Sequence, residues 1–409
     1  MIIRRIRAEE LRRCAEMAAV AYEFPLHGSD ETAEEAVRRM EENPRDRSQK
    51  YWHMRWAAFA DDDQTMMSAM AVMPFRMNFD GHNVRMDGVG GVASFPQYRN
   101  GGGVRGCFEA ALPVMYDEGA VFSYLHPFRN VFYRKFGYEM AAMGLYWKID
   151  LRLIPKKKMP GSCVLAEKGV DLRADLMKVA RAWQQRYNCM VIGEDVEYAW
   201  AKDPDPFAEK TYTYLYRSAE GEPKGYLTCR PQEEDGEDVL KCRRFVFADR
   251  EGFEGLLMLL ASMSADHSYA HFLTPEDISP DALIPEWQNG FVHCERVTKG
   301  MARVINVEKA LQLAAMRGEG SLVIEVEDTQ IPQNNGRFEA SFAPGKENRV
   351  ERTEKEPDIS LTIQDFTRLI LGKHSTEDFA WLPQVRLNCS AEKAAKVFYR
   401  KPVFLCQSF

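Results

Sequence analysis

Seven glycines fall between residues 88 and 106: Gly88, Gly90, Gly91, Gly101, Gly102, Gly103 and Gly106. The residues before the triple glycine read as a strand, Val84 to Phe95, and those after it as a helix, about Val104 to Glu118. Three glycines between a strand and a helix let the backbone approach a ligand closely. The helix start adds unpaired N–H groups and the positive end of its dipole, a setting that suits a pyrophosphate. Arg99 and Arg105 would add charge-assisted bonds. The stretch is not a Walker loop, because no Gly-Lys-Ser/Thr follows, and the dinucleotide pattern fails after Gly103. A plain flexible turn fits the same residues, and local sequence leaves both readings open.

Composition narrows the function classes. With 409 residues the chain is too long for one ordinary core, so two or three domains are expected. The net charge is -7 with acids and bases interspersed, which gives no basic face for a nucleic acid. Nine cysteines, an odd number and without a CxxC pair, argue against a disulfide framework or zinc knuckle and for a reducing compartment. The first residues lack the apolar run of a signal peptide, and no stretch is apolar enough to span a bilayer. A cytoplasmic protein with no membrane partner is the expectation.

Periodicity places a short strand at 2–6 and a helix at 8–22 with Leu11, Cys14, Met17, Ala18 and Tyr22 on one face. A helix at about 31–42 and strands at 52–60, 66–79 and 84–95 follow. Beyond the glycine loop come a strand, Ala120 to Leu125, and a helix, Asn130 to Phe136. Lys156 to Gly161 reads as a linker. A second α/β segment then repeats the order weakly: a helix (172–187), a hairpin (211–230) turning at Glu220-Gly221, a strand (239–248) and a helix (252–265). The last segment is of α+β type, with strands at 322–326 and 359–363, a hairpin signal at Asn334-Asn335-Gly336 and helices near 307–315, 363–371 and 391–399. The domains expected are 1–155, 156–295 and 296–409.

Arg99-x-x-Gly102 after a Pro-Gln-Tyr turn resembles motif A of the GNAT acetyltransferase superfamily. The segment Leu125-His-Pro-Phe-Arg-Asn-Val-Phe-Tyr-Arg-Lys-Phe-Gly-Tyr-Glu139 resembles its closing segment, with a helix tyrosine followed by an aromatic-Gly-aromatic strand. Together with the spacing and the three-domain length, they resemble the Eis-type (enhanced intracellular survival) N-acetyltransferases. That resemblance implies tandem GNAT-like folds, α/β and α+β overall, followed by a domain like sterol carrier proteins; Pro357 to Leu361 and Leu371-Gly372 match the last. It implies acetyl-CoA as cosubstrate, a small-molecule amine as acceptor, aminoglycosides among the family's acceptors, and a homo-oligomer, a hexamer in the family.

Carried over by position, Val92, Ala93 and Ser94 would line the pantetheine and thioester. Asn100, Gly101, Gly102, Gly103, Val104 and Arg105 would cradle the pyrophosphate, and Phe128 and Arg129 would touch the cofactor from the other side. Tyr133 would be the general acid, and the carboxylate of Phe409 the general base. The family loop is often arginine-rich, whereas Asn100 and Gly101 stand here; backbone donors are unaffected, but the pull on phosphate is weaker. The second segment has a single glycine in Phe247-Ala-Asp-Arg-Glu-Gly-Phe253, so cofactor binding is expected in the first domain alone.

The chemistry asks for a neutral amine, a stabilised carbonyl oxygen and a helped thiolate. A lysine-like amine of pKa about 10.4 is almost wholly protonated at pH 7. The Tyr133 phenol, pKa about 10 against about 8.5 for a thiol, suits a hydrogen bond to sulfur better than full proton transfer. By spacing alone, without the resemblance, Tyr133 reads as a core aromatic beside Phe132 and Phe136. His126 reads as structural. His267 and His271, four apart, would share a helix face but lack a third ligand, and Asp61 to Asp63 reads as a solvated turn, so no metal is expected. Two other readings stay open: transfer of a longer acyl group, and a non-catalytic lipid-binding scaffold.

Overall fold

The computed structural model describes residues 1–26, 31–280, 283–287 and 290–405. It divides into two units: residues 1–141 with 300–401, and residues 142–299 with 402–405.

The first unit is built on a seven-stranded sheet. Its strands run, in spatial order, Ile2–Arg5, Trp56–Phe59, Met66–Phe79, His82–Ser94, Phe122–Leu125, Met301–Val304 and Glu139–Met140. Met66–Phe79 and His82–Ser94 form a long hairpin whose turn, Asp80-Gly81, has φ of 49° and 87°. Positive φ at both central residues is the twist-matched hairpin geometry that Asp-Gly favours. His82–Ser94 and Phe122–Leu125 run parallel, joined by the helix Gly103–Asp117. That helix buries Cys107, Phe108, Ala111, Leu112 and Met115 with Tyr133, Phe136 and Tyr138 in one core. The same unit holds a five-stranded sheet, Arg349–Arg352, Gly336–Phe342, Gly320–Glu327, Ile359–Thr362 and Arg386–Leu387, with the helix Ile363–Ile370.

The second unit repeats the plan: Ser162–Leu165, Tyr212–Arg217, Pro223–Glu234, Glu237–Phe247, Tyr269–Thr274, Met143–Asp150 and Val292–Thr298. Its fourth and fifth strands are again parallel, bridged by the helix Arg250–Ser262. The sixth place in each sheet is filled out of sequence order. Met143–Asp150, which follows the first sheet's edge strand in the chain, sits in the second sheet, and Met301–Val304 sits in the first.

Several local expectations change. The helix at 391–399 stops at Ala395. Trp52–Met54 is a single tight turn, and its strand starts at Trp56. Asn334-Asn335-Gly336 is not a two-residue hairpin turn. The connection runs from Asp328 to Asn335, with Asn334 buried and its amide donating to Ile305 O and Asp328 Oδ2. His267 and His271 share no helix face, because His271 lies on the strand Tyr269–Thr274 and its Nδ1 pairs with the Tyr146 hydroxyl at 2.9 Å.

Candidate active site

The strand His82–Ser94 pairs with its parallel neighbour only from Met86 to Val89. Beyond that the two strands part, and on that side Gly90 to Ser94 have no ladder partner among the described residues. A register shift opposite Ala69 and Ala71 falls at the same place, where Gly91 takes φ 56°. A bulge re-aims the residues around it. It leaves Gly91 and Val92 out of the regular register at the mouth of the split, while Ala93 and Ser94 pair with Ala69 and Ser68. Ala93 is buried, and the Ser94 hydroxyl is bonded to Ser68 Oγ at 2.7 Å.

The glycine loop opens on this mouth. Asn100 (φ 66°) and Gly102 (φ 84°) are both left-handed, and Gly102 caps the helix Gly103–Asp117 with no side-chain hydrogen bond. The first N–H groups of a helix need partners, and among the described residues the N-cap supplies no side-chain one here. Gly103 has a different task. A Cβ on it would lie 2.5 Å from Ser68 Oγ and 3.1 Å from Ala58 Cβ, so its lack of a side chain lets the helix seat on the sheet. Gly101, Asn100 and Arg105 are exposed and Val104 is half-buried.

The second unit's equivalent helix start is closed. Asp249 caps Arg250–Ser262, its carboxylate accepting from Gly252 N at 3.0 Å, with Glu251 in the first turn. A Cβ on Gly252 would meet Lys224 O at 2.0 Å. Built-in negative charge and packed backbone oppose a phosphate there.

Tyr133 lies on the five-residue helix Asn130–Arg134 and is almost wholly buried. Its ring meets Phe128, Phe132 and Phe108 edge-on at 5.4, 5.1 and 6.0 Å. Burial pushes its phenol pKa up, with smaller contributions from Tyr22 and Tyr138. Among the described residues its hydroxyl makes no hydrogen bond, unlike that of Tyr138, which is bonded to Ser123 Oγ at 2.6 Å. Phe128 is 72% exposed and Arg129, the N-cap of the short helix, is also exposed. Phe409 lies outside the described residues.

One residue of the site was misread from sequence. Tyr22 is not part of the first helix's buried face. It ends the helix Leu11–Tyr22, stands half exposed, and donates its hydroxyl to Val92 O at 3.2 Å. Helical spacing puts it in line with Leu11, Cys14 and Met17, and nothing local signals that the helix outruns the core there.

Residues 2–141 match the family model described as an acetyltransferase (GNAT) domain. Residues 2–141 are a GNAT acetyltransferase domain. Residues 307–406 match the sterol carrier protein domain. Solved structures share the fold over the whole chain. A conserved protein from Enterococcus faecalis V583, described as a probable N-acyltransferase, has TM-score 0.83 at 19% identity and covers 100% of this chain and 99% of its own. A GCN5-related N-acetyltransferase from Anabaena variabilis has TM-score 0.83 at 18% identity, with 100% of both chains covered. Eis1 from Mycobacterium abscessus has TM-score 0.79 at 18% identity, again with 100% of both chains covered. The search of curated proteins found no match. In fold and in the order of its two matched domains the chain is similar to Eis1 and to these N-acetyltransferase structures. Acyl transfer is the chemistry of the GNAT domain. No helix of the described residues is long and apolar enough to cross a membrane.

Proposed function

We propose that the chain transfers the acetyl group of acetyl-CoA to the amine of a small molecule, in the GNAT domain alone. The observation that carries this reading is the uncapped start of Gly103–Asp117 beside the strand end Gly90 to Ser94, whose edge beyond Val89 has no ladder partner on the side of Phe122–Leu125 among the described residues. Acetyl-CoA supplies an activated acetyl thioester. Asn100 to Arg105 would hold its pyrophosphate through backbone N–H groups and the helix dipole. Val92, Ala93 and Ser94 would line the pantetheine arm, because an unpaired strand edge offers amide and carbonyl groups to a second extended chain. A backbone N–H near Val92 would stabilise the carbonyl oxygen. Phe128 and Arg129 would close the other side. Tyr133 donates to the departing sulfur, and its raised pKa keeps the proton in place across the working pH range.

The amine still has to lose a proton. An α-carboxylate with pKa about 3.3–3.7 lies some seven units below an ammonium. Direct transfer to Phe409 would cost roughly 9 kcal/mol, so the proposed role of that carboxylate is a water relay or the holding of a cationic acceptor. Extending the chain by one alanine displaces the charge by about 3.8 Å. It is expected to depress turnover with acetyl-CoA affinity unchanged; full activity in the extended protein removes Phe409 from the mechanism. By the same resemblance the assembly proposed is a homo-oligomer, a hexamer, which sedimentation tests directly.

The functional test is thiol release from acetyl-CoA across a panel of amines, polyamines and aminoglycosides, with acyl-CoA donors of increasing length alongside. Release that depends on an amine and is fastest with acetyl supports the reading. Turnover only with longer donors overturns the acetyl assignment, and no turnover with any pair overturns the catalytic one.

Gly102→Val tests the cofactor loop. Its Cβ would meet nothing within 4 Å, but at φ 84° a β-branched residue is strained. The loop is expected to change shape and acetyl-CoA affinity to fall at least tenfold while the fold persists. Calorimetry showing wild-type affinity in the folded variant would reject the loop as the pyrophosphate site.

A further inference from the structure

The helix that carries Tyr133 is too short to stand alone. Five residues form barely more than one turn, and isolated helices of that length are unstable in water. Its last carbonyls also lack internal partners. Three successive carbonyls at this end take donors from far along the chain. Gln364 Nε2 donates to Arg134 O at 2.9 Å, Gln330 Nε2 to Lys135 O at 3.4 Å, and Arg303 Nη1 to Phe136 O. The backbone ties these carbonyls to Tyr133 itself, whose own carbonyl accepts from Phe136 N at 3.0 Å and Tyr138 N at 3.4 Å.

Arg303 is the firmest of the three. It sits on Met301–Val304, and its side chain and that of Asp328 are fully buried. Asp328 takes Arg303 Nη2 at 2.8 and 2.5 Å, and is itself held by Gln330 N, Ile331 N and Asn334 Nδ2. The turn after the helix is shaped around the guanidinium. Gly137 has φ 83°, and a Cβ there would lie 1.9 Å from Arg303 Nη1. Burying such a pair gains little stability over an apolar filling, whereas its rigid planar donors fix geometry well.

We infer that Arg303, braced by Asp328 and assisted by Gln330 and Gln364, is a positioning residue that holds Tyr133 against the thioester. The sterol carrier domain, which contributes Asp328, Gln330 and Gln364, thereby sets the placement of the proton donor in the GNAT domain. The inference rests on the reading of Tyr133 as that donor.

The test is a double-mutant cycle in the full-length chain, with acetyl-CoA and the amine that turns over fastest in the panel. Gln330→Ala/Gln364→Ala removes two half-buried donors and leaves the buried pair in place. Each lost hydrogen bond weighs about two- to tenfold. The expected result is a kcat lowered about three- to tenfold, a KM for acetyl-CoA within twofold of wild type, and no further loss of kcat when the pair is placed on Tyr133→Phe. Arg303→Lys, which keeps charge and loses the planar fork, is expected to lower kcat more. An unchanged kcat in the glutamine pair overturns the inference, as does an equal loss in the Tyr133→Phe background, which would show that the contacts act independently of Tyr133. Full activity of Tyr133→Phe alone is a separate result, and it removes the donor reading first. If Arg303→Lys fails to fold, the glutamine pair still decides.

Discussion

Tyr133→Phe is expected to lower kcat by about 10²–10⁴-fold, the span of positioned proton donors, with acetyl-CoA affinity and thermal stability unchanged. Stability should hold because the hydroxyl has no hydrogen-bond partner among the described residues, so its loss breaks nothing in the fold. The pH profile adds an independent check. A buried phenol whose pKa is raised above about 10 keeps its proton at every pH where the protein works. The activity should therefore rise with pH as the amine deprotonates, and Tyr133 should cause no fall on the alkaline side below about pH 10. Single-turnover measurement on the folded variant settles the first point. A wild-type rate with chemistry limiting would return Tyr133 to the role of a core aromatic among Phe108, Phe132 and Phe136. An alkaline limb near pH 8 that vanishes in Tyr133→Phe would overturn the argument from burial.

Phe404→Ala is expected to destabilise the second unit by about 3–5 kcal/mol, the usual cost of emptying a buried phenylalanine site. Phe404 is fully buried there, edge-on to Trp183 at 5.4 Å and near Tyr187 at 6.0 Å. The backbone around it is tied down as well: Asn188 N donates to Pro402 O at 2.9 Å, and Phe404 N to Asn188 O at 3.0 Å. Phe404→Leu keeps most of the volume and should cost far less. Hydrogen exchange over the helix Arg173–Arg186, which carries Trp183, reads the effect within this unit. Alanine within 1 kcal/mol of wild type would mean that the tail contributes no core. Val403 and Leu405 on either side of Phe404 are buried as well.

The sequence by itself determined what depends on neighbours in the chain. Asp80-Gly81 must turn, because both residues favour left-handed backbone. The helix after the triple glycine must start near Gly103, because the apolar period of Cys107, Phe108, Ala111, Leu112 and Met115 begins there. Asp249 before Gly252 carries its own capping group, so the second helix start could be told from the first by one carboxylate. These are local energies, and they are legible locally.

The tertiary structure decided whatever rests on a partner more than a hundred residues away. Met301-Ala-Arg-Val304 is a four-residue strand, yet all four residues are buried because Phe122–Leu125 and Glu139–Met140 flank it. Nothing in four residues names those neighbours. Met143–Asp150 reads as the end of the first domain and pairs in the second sheet, since strand pairing is chosen by the register and faces of both strands, not by order along the chain. The same holds at the site. Tyr133 is an aromatic among aromatics until the fold buries it with no hydrogen bond to its hydroxyl among the described residues, and Arg303 is one of many arginines until burial against Asp328 aims it at Phe136 O. Burial and hydrogen-bond satisfaction are properties of the assembled chain, so only the folded structure could assign them.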